Sequence, residues 1–412
     1  MIPVPGRPNP ERRPSPSALT RAVALAAAAM FIIAFLSGAR VTLARAARSA
    51  PPAAASDVEL RLAIRTELPT QYGANVWLES TDPVPLELDC EPSVLAGCEQ
   101  RIRWRCDRGR LDLQESATRN RFFPPAKSAV ATIEATVEFY PQKAGQSSPA
   151  PLVSKTASLR ILSPSPGSLL RDGVIDGFKL GDYINPRSRG VRKTTFPGIH
   201  PDKYQPPHAF YLVDEASRDL PLSRHFRLGD FALDYPWYSL GKRQYIALAP
   251  GLVRKIEDLI DEMNRAGLPG DKIRLIYGFR SPAYNLGRIN QDGDESLKSP
   301  FSMHQYGKAV DFILDADGDL RLDDLDHDGR ITVRDTIPIV RCVNALDRRY
   351  RSQGVPLFGG CGVYDHHDFW ERPVQTPYVH VDVRGYLGEE GNLVRWPGIW
   401  PGTKEAIFWG KL

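Results

Sequence analysis

Between Tyr378 and Arg384 valine alternates with a side chain that can do chemistry: Tyr-Val-His-Val-Asp-Val-Arg. A period of two puts Val379, Val381 and Val383 on one face of an extended strand and Tyr378, His380, Asp382 and Arg384 on the other. A chain carrying this strand must bury one face in a core and build something on the opposite one. Upstream, Ser302-Met303-His304-Gln305-Tyr306-Gly307-Lys308-Ala309-Val310-Asp311 leads into a second such strand. There Val310, Phe312 and Leu314 face the core and Asp311 faces away, while Gly307 permits a sharp turn after His304. Pairing the two strands gathers two imidazoles and one carboxylate. Zinc accepts that set at about 2 Å per donor and keeps a fourth position for a water that the metal acidifies.

The motifs Gly278-Phe279-Arg280-Ser281, Ser302 to Asp311, and His380-Val381-Asp382-Val383-Arg384 follow one another in the C-terminal part of the chain. In that order they resemble the zinc D-Ala-D-Ala peptidases, whose wider superfamily includes bacterial carboxypeptidases, phage endolysins and the Hedgehog signalling domain. The resemblance implies that His304, Asp311 and His380 bind Zn2+, that Arg280 meets the substrate's terminal carboxylate or a nearby backbone carbonyl, and that Ser302 sits beside that substrate end. A planar guanidinium suits such a carboxylate because it binds it through two parallel hydrogen bonds. The family places Glu or Asp three residues before the last histidine, where this chain has Pro377. Asp382 is the nearest substitute, either as the general base or as a carboxylate that orients an imidazole. Asp365, His366, His367, Asp368 and Glu371 precede the last strand and fall within reach of the same cleft.

The implied reaction is hydrolysis of peptidoglycan stem peptides or cross-links, as a D,D-carboxypeptidase or an endopeptidase. The alternative is a catalytically inactive protein that binds wall peptides or serves as a scaffold, a reading that Pro377 supports. A third possibility gives the work to the N-terminal β region as an adhesion module.

A second metal signal lies between the two halves of the motif. Asp324, Asp326, Asp328, Gly329, Ile331 and Asp335 match positions one, three, five, six, eight and twelve of an EF-hand calcium loop, and Arg330 fills the seventh, whose main-chain carbonyl coordinates. Asp at position twelve reaches less far than the usual Glu. Asp315, Asp317 and Asp319 stand ready to add ligands, so the whole insertion 315–335 is expected to take Ca2+.

The rest of the chain sets the context. Residues 22–39 form an apolar run of 18 residues, flanked by Arg7, Arg12, Arg13 and Arg21 before it and Arg40, Arg45 and Arg48 after it. That pattern is an export or anchoring segment, short for a membrane span, and Ala44-Arg45-Ala46 offers a cleavage site. Residues 1–21 then form a cytoplasmic or signal n-region and 40–55 an Ala/Pro linker. This predicts a cell-envelope protein, periplasmic or extracytoplasmic, held at the inner membrane or secreted, with peptidoglycan peptides as partners. Lysine and arginine total 53 against 49 acids, a net charge of +4 with no long basic run, so nucleic acid is not expected as a partner. In an oxidising compartment the five cysteines are able to pair, and Cys342 with Cys361 is the expected staple.

Residues 56–163 alternate repeatedly, as in Val58, Leu60, Leu62, Ile64 and in Ile133, Ala135, Val137, Phe139, and loosely resemble immunoglobulin-like modules. Residues 164–245 mix Gly, Pro and aromatics in short strand-like runs. From Pro250 a helix presents Leu252, Ile256, Leu259, Ile260 and Met263 on one face and ends near Gly267, and Ile273, Leu275 and Tyr277 follow as a strand. The expected fold is multidomain: an N-terminal membrane segment, an all-β immunoglobulin-like sandwich over 56–163, an intermediate segment over 164–245, and a C-terminal α+β zinc peptidase domain over 246–412.

Overall fold

The computed structural model describes residues 60–398 apart from 92, 96, 116, 142–149, 185–199, 201–202, 233–242, 293–300, 365–375 and 389–390. The N-terminal segments 1–21, 22–39 and 40–55 and the cluster Asp365, His366, His367, Asp368 and Glu371 therefore lie outside the described residues.

The first region is built of strands whose inward residues are large and apolar. One sheet has the order β1 (Arg61–Arg65), β4 (Val84–Glu91), β7 (Arg119–Phe123), β6 (Arg110–Leu111). A second has the order β2 (Gln71–Tyr72), β3 (Asn75–Trp77), β9 (Val153–Ser163), β8 (Ala129–Pro141), β5 (Cys98–Cys106). Leu86 and Leu88 from the first sheet and Ile102, Trp104, Ile133, Val137, Leu159 and Ile161 from the second close on one core. On β5 arginines alternate with Ile102 and Trp104, so the edge strand shows charge outward and discourages pairing with another chain.

The second region begins with a small sheet of β10 (Ser165–Pro166), β13 (Ala209–Val213) and β14 (Gln244–Ile246), and a hairpin of β11 (Val174–Ile175) and β12 (Phe178–Lys179). Five strands follow in the order β15 (Ile273–Tyr277), β16 (Ala309–Leu314), β18 (Tyr378–Asp382), β17 (Cys361–Tyr364), β19 (Arg395–Gly398). The helix predicted at Pro250 is α1 (Pro250–Arg265), with proline in its first turn and Gly267 beyond its end at φ +82°. Helix α2 (Pro282–Asp292) follows β15, and α3 (Thr336–Ser352) packs on α1 and on β17 and β18. The apolar faces of α1 and α3 share a core with Val310, Phe312, Val379 and Val381, so the alternating valines are buried as predicted.

Several expectations are corrected. Strands predominate throughout the described residues, helices are few, and no helix among them is long and apolar enough to cross a membrane. The expected combination of membrane segment, immunoglobulin-like sandwich and α+β zinc peptidase domain is not what the described residues form. The physical reason is that alternation fixes which side chains face inward but leaves open which strands become neighbours, and here β3 runs parallel to β9 and β17 parallel to β19. One well-marked helix before β15 does not set the helix content of the region. The staple is absent as well: Cys342 and Cys361 remain separate buried thiols, pushed up to about 11 and about 12 by burial. Both point into the same apolar core rather than into contact across its rim.

Residues 164–245, which carry no motif, brace the loops that hold the site. Tyr183 Oη donates to the Gln305 carbonyl at 2.9 Å, Ala283 N donates to Leu180 O at 2.8 Å, and Phe279 N donates to Phe231 O at 2.9 Å. Gly278 lies so close to Phe231 that an added Cβ would sit 2.3 Å from its carbonyl oxygen. The described residues belong to one compact unit, and Tyr211 Oη, reaching Leu78 O at 2.8 Å, fastens the second region to the first.

Candidate metal centre

Strands β16 and β18 pair antiparallel with Asp311 opposite His380 and Ala309 opposite Asp382, so the two predicted strands do bring their functional faces together. His304 enters from the short turn Met303–Tyr306, which Gly307 ends in the left-handed region at φ 63°. A Cβ there would come within 2.3 Å of the Ala247 carbonyl oxygen, so glycine is required both for the turn and for the close approach.

Three ligand atoms converge. His304 Nε2 lies 3.1 Å from Asp311 Oδ1 and 3.1 Å from His380 Nδ1, and His380 Nδ1 lies 2.7 Å from Asp311 Oδ1. The outer ring nitrogens are taken: His304 Nδ1 meets the Gly278 carbonyl at 2.7 Å and His380 Nε2 faces Asp382 Oδ2 at 3.4 Å. A carbonyl accepts only, so His304 carries its proton on Nδ1 and keeps a lone pair on Nε2; His380 has a carboxylate beside each ring nitrogen, Asp311 at 2.7 Å from Nδ1 and Asp382 at 3.4 Å from Nε2. When His380 is neutral with its proton on Nε2, two nitrogen lone pairs and a carboxylate oxygen aim at one point. A proton on His380 Nδ1 or a bound cation satisfies that point, and a tetrahedral ion at zinc distances sets its donors about 3.3 Å apart, close to the spacing here. The residues fit a divalent metal, and two nitrogens with one oxygen match zinc chemistry without identifying the metal.

All three side chains are buried. Burial, helped by the Arg280 guanidinium, holds His304 down to about 4, which keeps it ready to ligate at neutral pH. His380 moves the other way: against the effect of burial, hydrogen bonds to Asp311 and Asp382 raise it. Burial pushes both carboxyls up, but His304 and Arg280 around Asp311, and Arg384 and His380 around Asp382, outweigh it and hold both well below the usual carboxylate range.

Arg280 Nη2 donates to Asp311 Oδ2 at 2.6 Å and its guanidinium lies 4.6 Å from the Tyr277 ring centre, while its buried Nε has no hydrogen-bond partner. Ser302 immediately precedes the turn with His304, half-buried, its carbonyl accepting from Gln305 N at 3.0 Å. Asp382 is fully buried, accepting from Gly360 N at 2.7 Å and from Arg384 Nε at 2.9 Å, with Arg384 Nη2 in contact as well. A carboxylate so engaged is placed to orient His380. Pro377 precedes β18 beside Thr376, whose hydroxyl accepts from Leu322 N at 2.8 Å and ties the acidic insertion to the strand bearing His380.

In that insertion Asp324, Asp326 and Asp335 bring oxygens together, with Gly329 at φ 82° in the turn. Asp328 is not part of the converging set: its carboxylate accepts from Arg330 N at 2.9 Å within the loop. Asp335 is fully buried and receives Leu325 N at 2.8 Å and Thr332 N at 2.7 Å, thereby capping the turn that leads into α3. A second group gathers Asp315 and Asp317 with Asp323 in place of the expected Asp319, because Asp319 turns locally to accept from Arg321 N at 2.8 Å.

Sequence reasoning missed Lys255 and Asp347, which lie behind the centre with no exposure at all. The signal was present: Lys255 falls three residues after Leu252 and four before Leu259, on the apolar stripe of α1.

No family model, no curated protein and no solved structure matches the chain, so neither an immunoglobulin-like fold nor a zinc peptidase fold is identified in it.

Proposed function

We propose that the protein is a zinc-dependent peptidase of the cell envelope that hydrolyses peptidoglycan stem peptides or cross-links. The observation that carries this reading is the convergence of His304 Nε2, Asp311 Oδ1 and His380 Nδ1 on one point, with a guanidinium beside it. When bound, zinc polarises a scissile carbonyl and acidifies a water. Arg280, anchored on Asp311 and partly exposed, supplies the fixed positive charge that holds the peptide's terminal carboxylate or a backbone carbonyl. Ser302 lines the same end. Asp382 keeps the His380 ring turned with Nδ1 toward the metal. The same reading assigns Ca2+ to the insertion, with Asp324, Asp326 and Asp335 as ligands, where it would stiffen the connection between β16 and the entry to β18.

A second reading has a specific observation in its favour. Pro377 stands where the family places its general base, and the Asp382 carboxylate is committed to Arg384 and Gly360, which favours a protein that binds wall peptides without cutting them. Incubating the full chain with defined muropeptides, with and without a zinc chelator, separates the two. Loss of one alanine indicates a carboxypeptidase, split dimers an endopeptidase, and chelator-insensitive binding with no product the second reading.

A further inference from the structure

The ammonium of Lys255 lies 2.7 Å from Asp347 Oδ1 on α3, an ion-pair contact off the hydrogen-bond axis, with neither side chain exposed. Asp347 Oδ2 also accepts from Arg395 Nη2 at 2.8 Å. Lys255 Nζ then donates to the main-chain carbonyl of Asp382 at 2.8 Å. Arg395 Nη1 donates to Gly359 O at 2.8 Å, and the adjoining Gly360 N donates to Asp382 Oδ1 at 2.7 Å. Two routes therefore run from one buried ion group to one residue, the first to the Asp382 carbonyl and the second, through the 359–360 turn, to its carboxylate. The fit is close: a Cβ on Gly359 would lie 2.0 Å from the Asp382 carbonyl oxygen.

Packing α1 against α3 needs none of these charges. An apolar residue at 255 would complete the stripe of Leu252, Ile256 and Leu259, and buried ion pairs are commonly no more stabilising than the apolar groups that could replace them. What the charges add is direction. We propose that Lys255, with Asp347 and Arg395, is a positioning group for the metal centre: it fixes Asp382 so that its carboxylate meets His380 Nε2 and leaves His380 Nδ1 aimed at Asp311. This rests on the metal reading above. Outer partners of a ligating histidine set its orientation and basicity, and so govern metal affinity.

The test is the double variant Lys255→Met/Asp347→Asn in the full chain, which removes both charges of the pair and leaves Arg395 held by Asn344 Oδ1 and by the Gly359 and Val394 carbonyls. Apo protein is titrated with Co2+, and with Zn2+ against a chromophoric chelator, while its melting is followed in parallel. The expected result is a loss of metal affinity of about 10- to 100-fold and an altered Co2+ spectrum, with apo melting close to that of the wild type. Wild-type affinity with a wild-type spectrum overturns the proposal. Should the double variant not fold, Arg395→Gln leaves the Lys255–Asp347 pair in place; a several-fold weaker affinity is expected, and an unchanged one overturns the proposal. If the wild type itself takes up no metal, the metal reading fails, and the positioning is judged on apo protein by 15N NMR of labelled histidine. There the His380 Nε2–H signal is expected to exchange with water faster in the double variant, and an unchanged signal overturns the proposal.

Discussion

In the paired sheets of the first region most ion pairs stand outside, although Glu138 is tucked beneath Arg103 and Tyr140. Arg65 meets Asp89 at 2.7 Å and Arg119 meets Glu87 at 3.2 Å across neighbouring strands, with all four side chains largely in solvent, while the core between the sheets is apolar. In the second region His304, Asp311, His380, Asp382, Lys255 and Asp347 are all inside. Solvated pairs contribute little and are screened by salt, whereas buried charges carry a desolvation cost that only complete partnering offsets. The first region thus keeps charge out of its core, and the second gives up stability to hold charged groups in fixed directions.

The sharpest way to break this contrast is at the centre itself. His380→Ala is expected to drop metal uptake below detection and hydrolysis of muropeptides to background, read by elemental analysis and product masses, while strands β1–β9 keep their fold. Next comes Lys255→Met alone, which leaves Asp347 paired with Arg395 but takes the buried donor from the Asp382 carbonyl, and is expected to cost about 3 kcal/mol in urea unfolding. Phe122→Ala, a fully buried ring in the first region, should cost a similar ~3–5 kcal/mol through transfer and cavity terms, without changing metal affinity. A loss of metal affinity in that variant would show that the regions are not separable in this way.

Acidity gives a smaller and directional effect. His304 titrates near 4 in the fold against 6.5 for the free side chain, so between those values the unfolded chain binds the extra proton. Apo protein is therefore expected to lose on the order of 3 kcal/mol as pH falls from 6.5 to 4. The raised His380 works in the opposite sense, but its contribution is already complete below 6.5 and is lost only as pH rises. A melting temperature that stays flat across this window would contradict the depressed value. Smallest of all, Arg119→Ala is expected to leave the melting temperature unchanged, since both partners of its pair are mostly in water.

The convergence of His304, Asp311 and His380 was legible because two features of the sequence fix their geometry: period-two alternation sends His380 and Asp311 to the face opposite the valines, and Gly307 marks the turn that delivers His304. Helix α1 was legible from Pro250 and Gly267 for equally local reasons. What stayed hidden depends on partners distant in the chain. The role of Asp382 is decided by Gly360 and Arg384, and that of Lys255 by Asp347 and by a main-chain carbonyl that leaves no trace in composition. Residues 164–245 gave no signal because two of their braces are backbone carbonyls, at Leu180 and Phe231, which side-chain pattern does not encode, and the third is a lone tyrosine hydroxyl, at Tyr183. The Cys342–Cys361 expectation failed since proximity to one core does not orient two thiols toward each other.

Asp311 and His380 face each other from adjacent strands whose side chains alternate, so a slip of one residue between β16 and β18 would send one ligand into the valine layer and the other away from it. On the proposed metal reading, an ion that requires both would be a proofreader of assembly: misaligned chains could not capture it, and correctly aligned ones would be drawn out of the folding equilibrium by doing so. Metal supplied during refolding would then raise the yield of correctly zipped sheets, beyond any effect on molecules that have already folded.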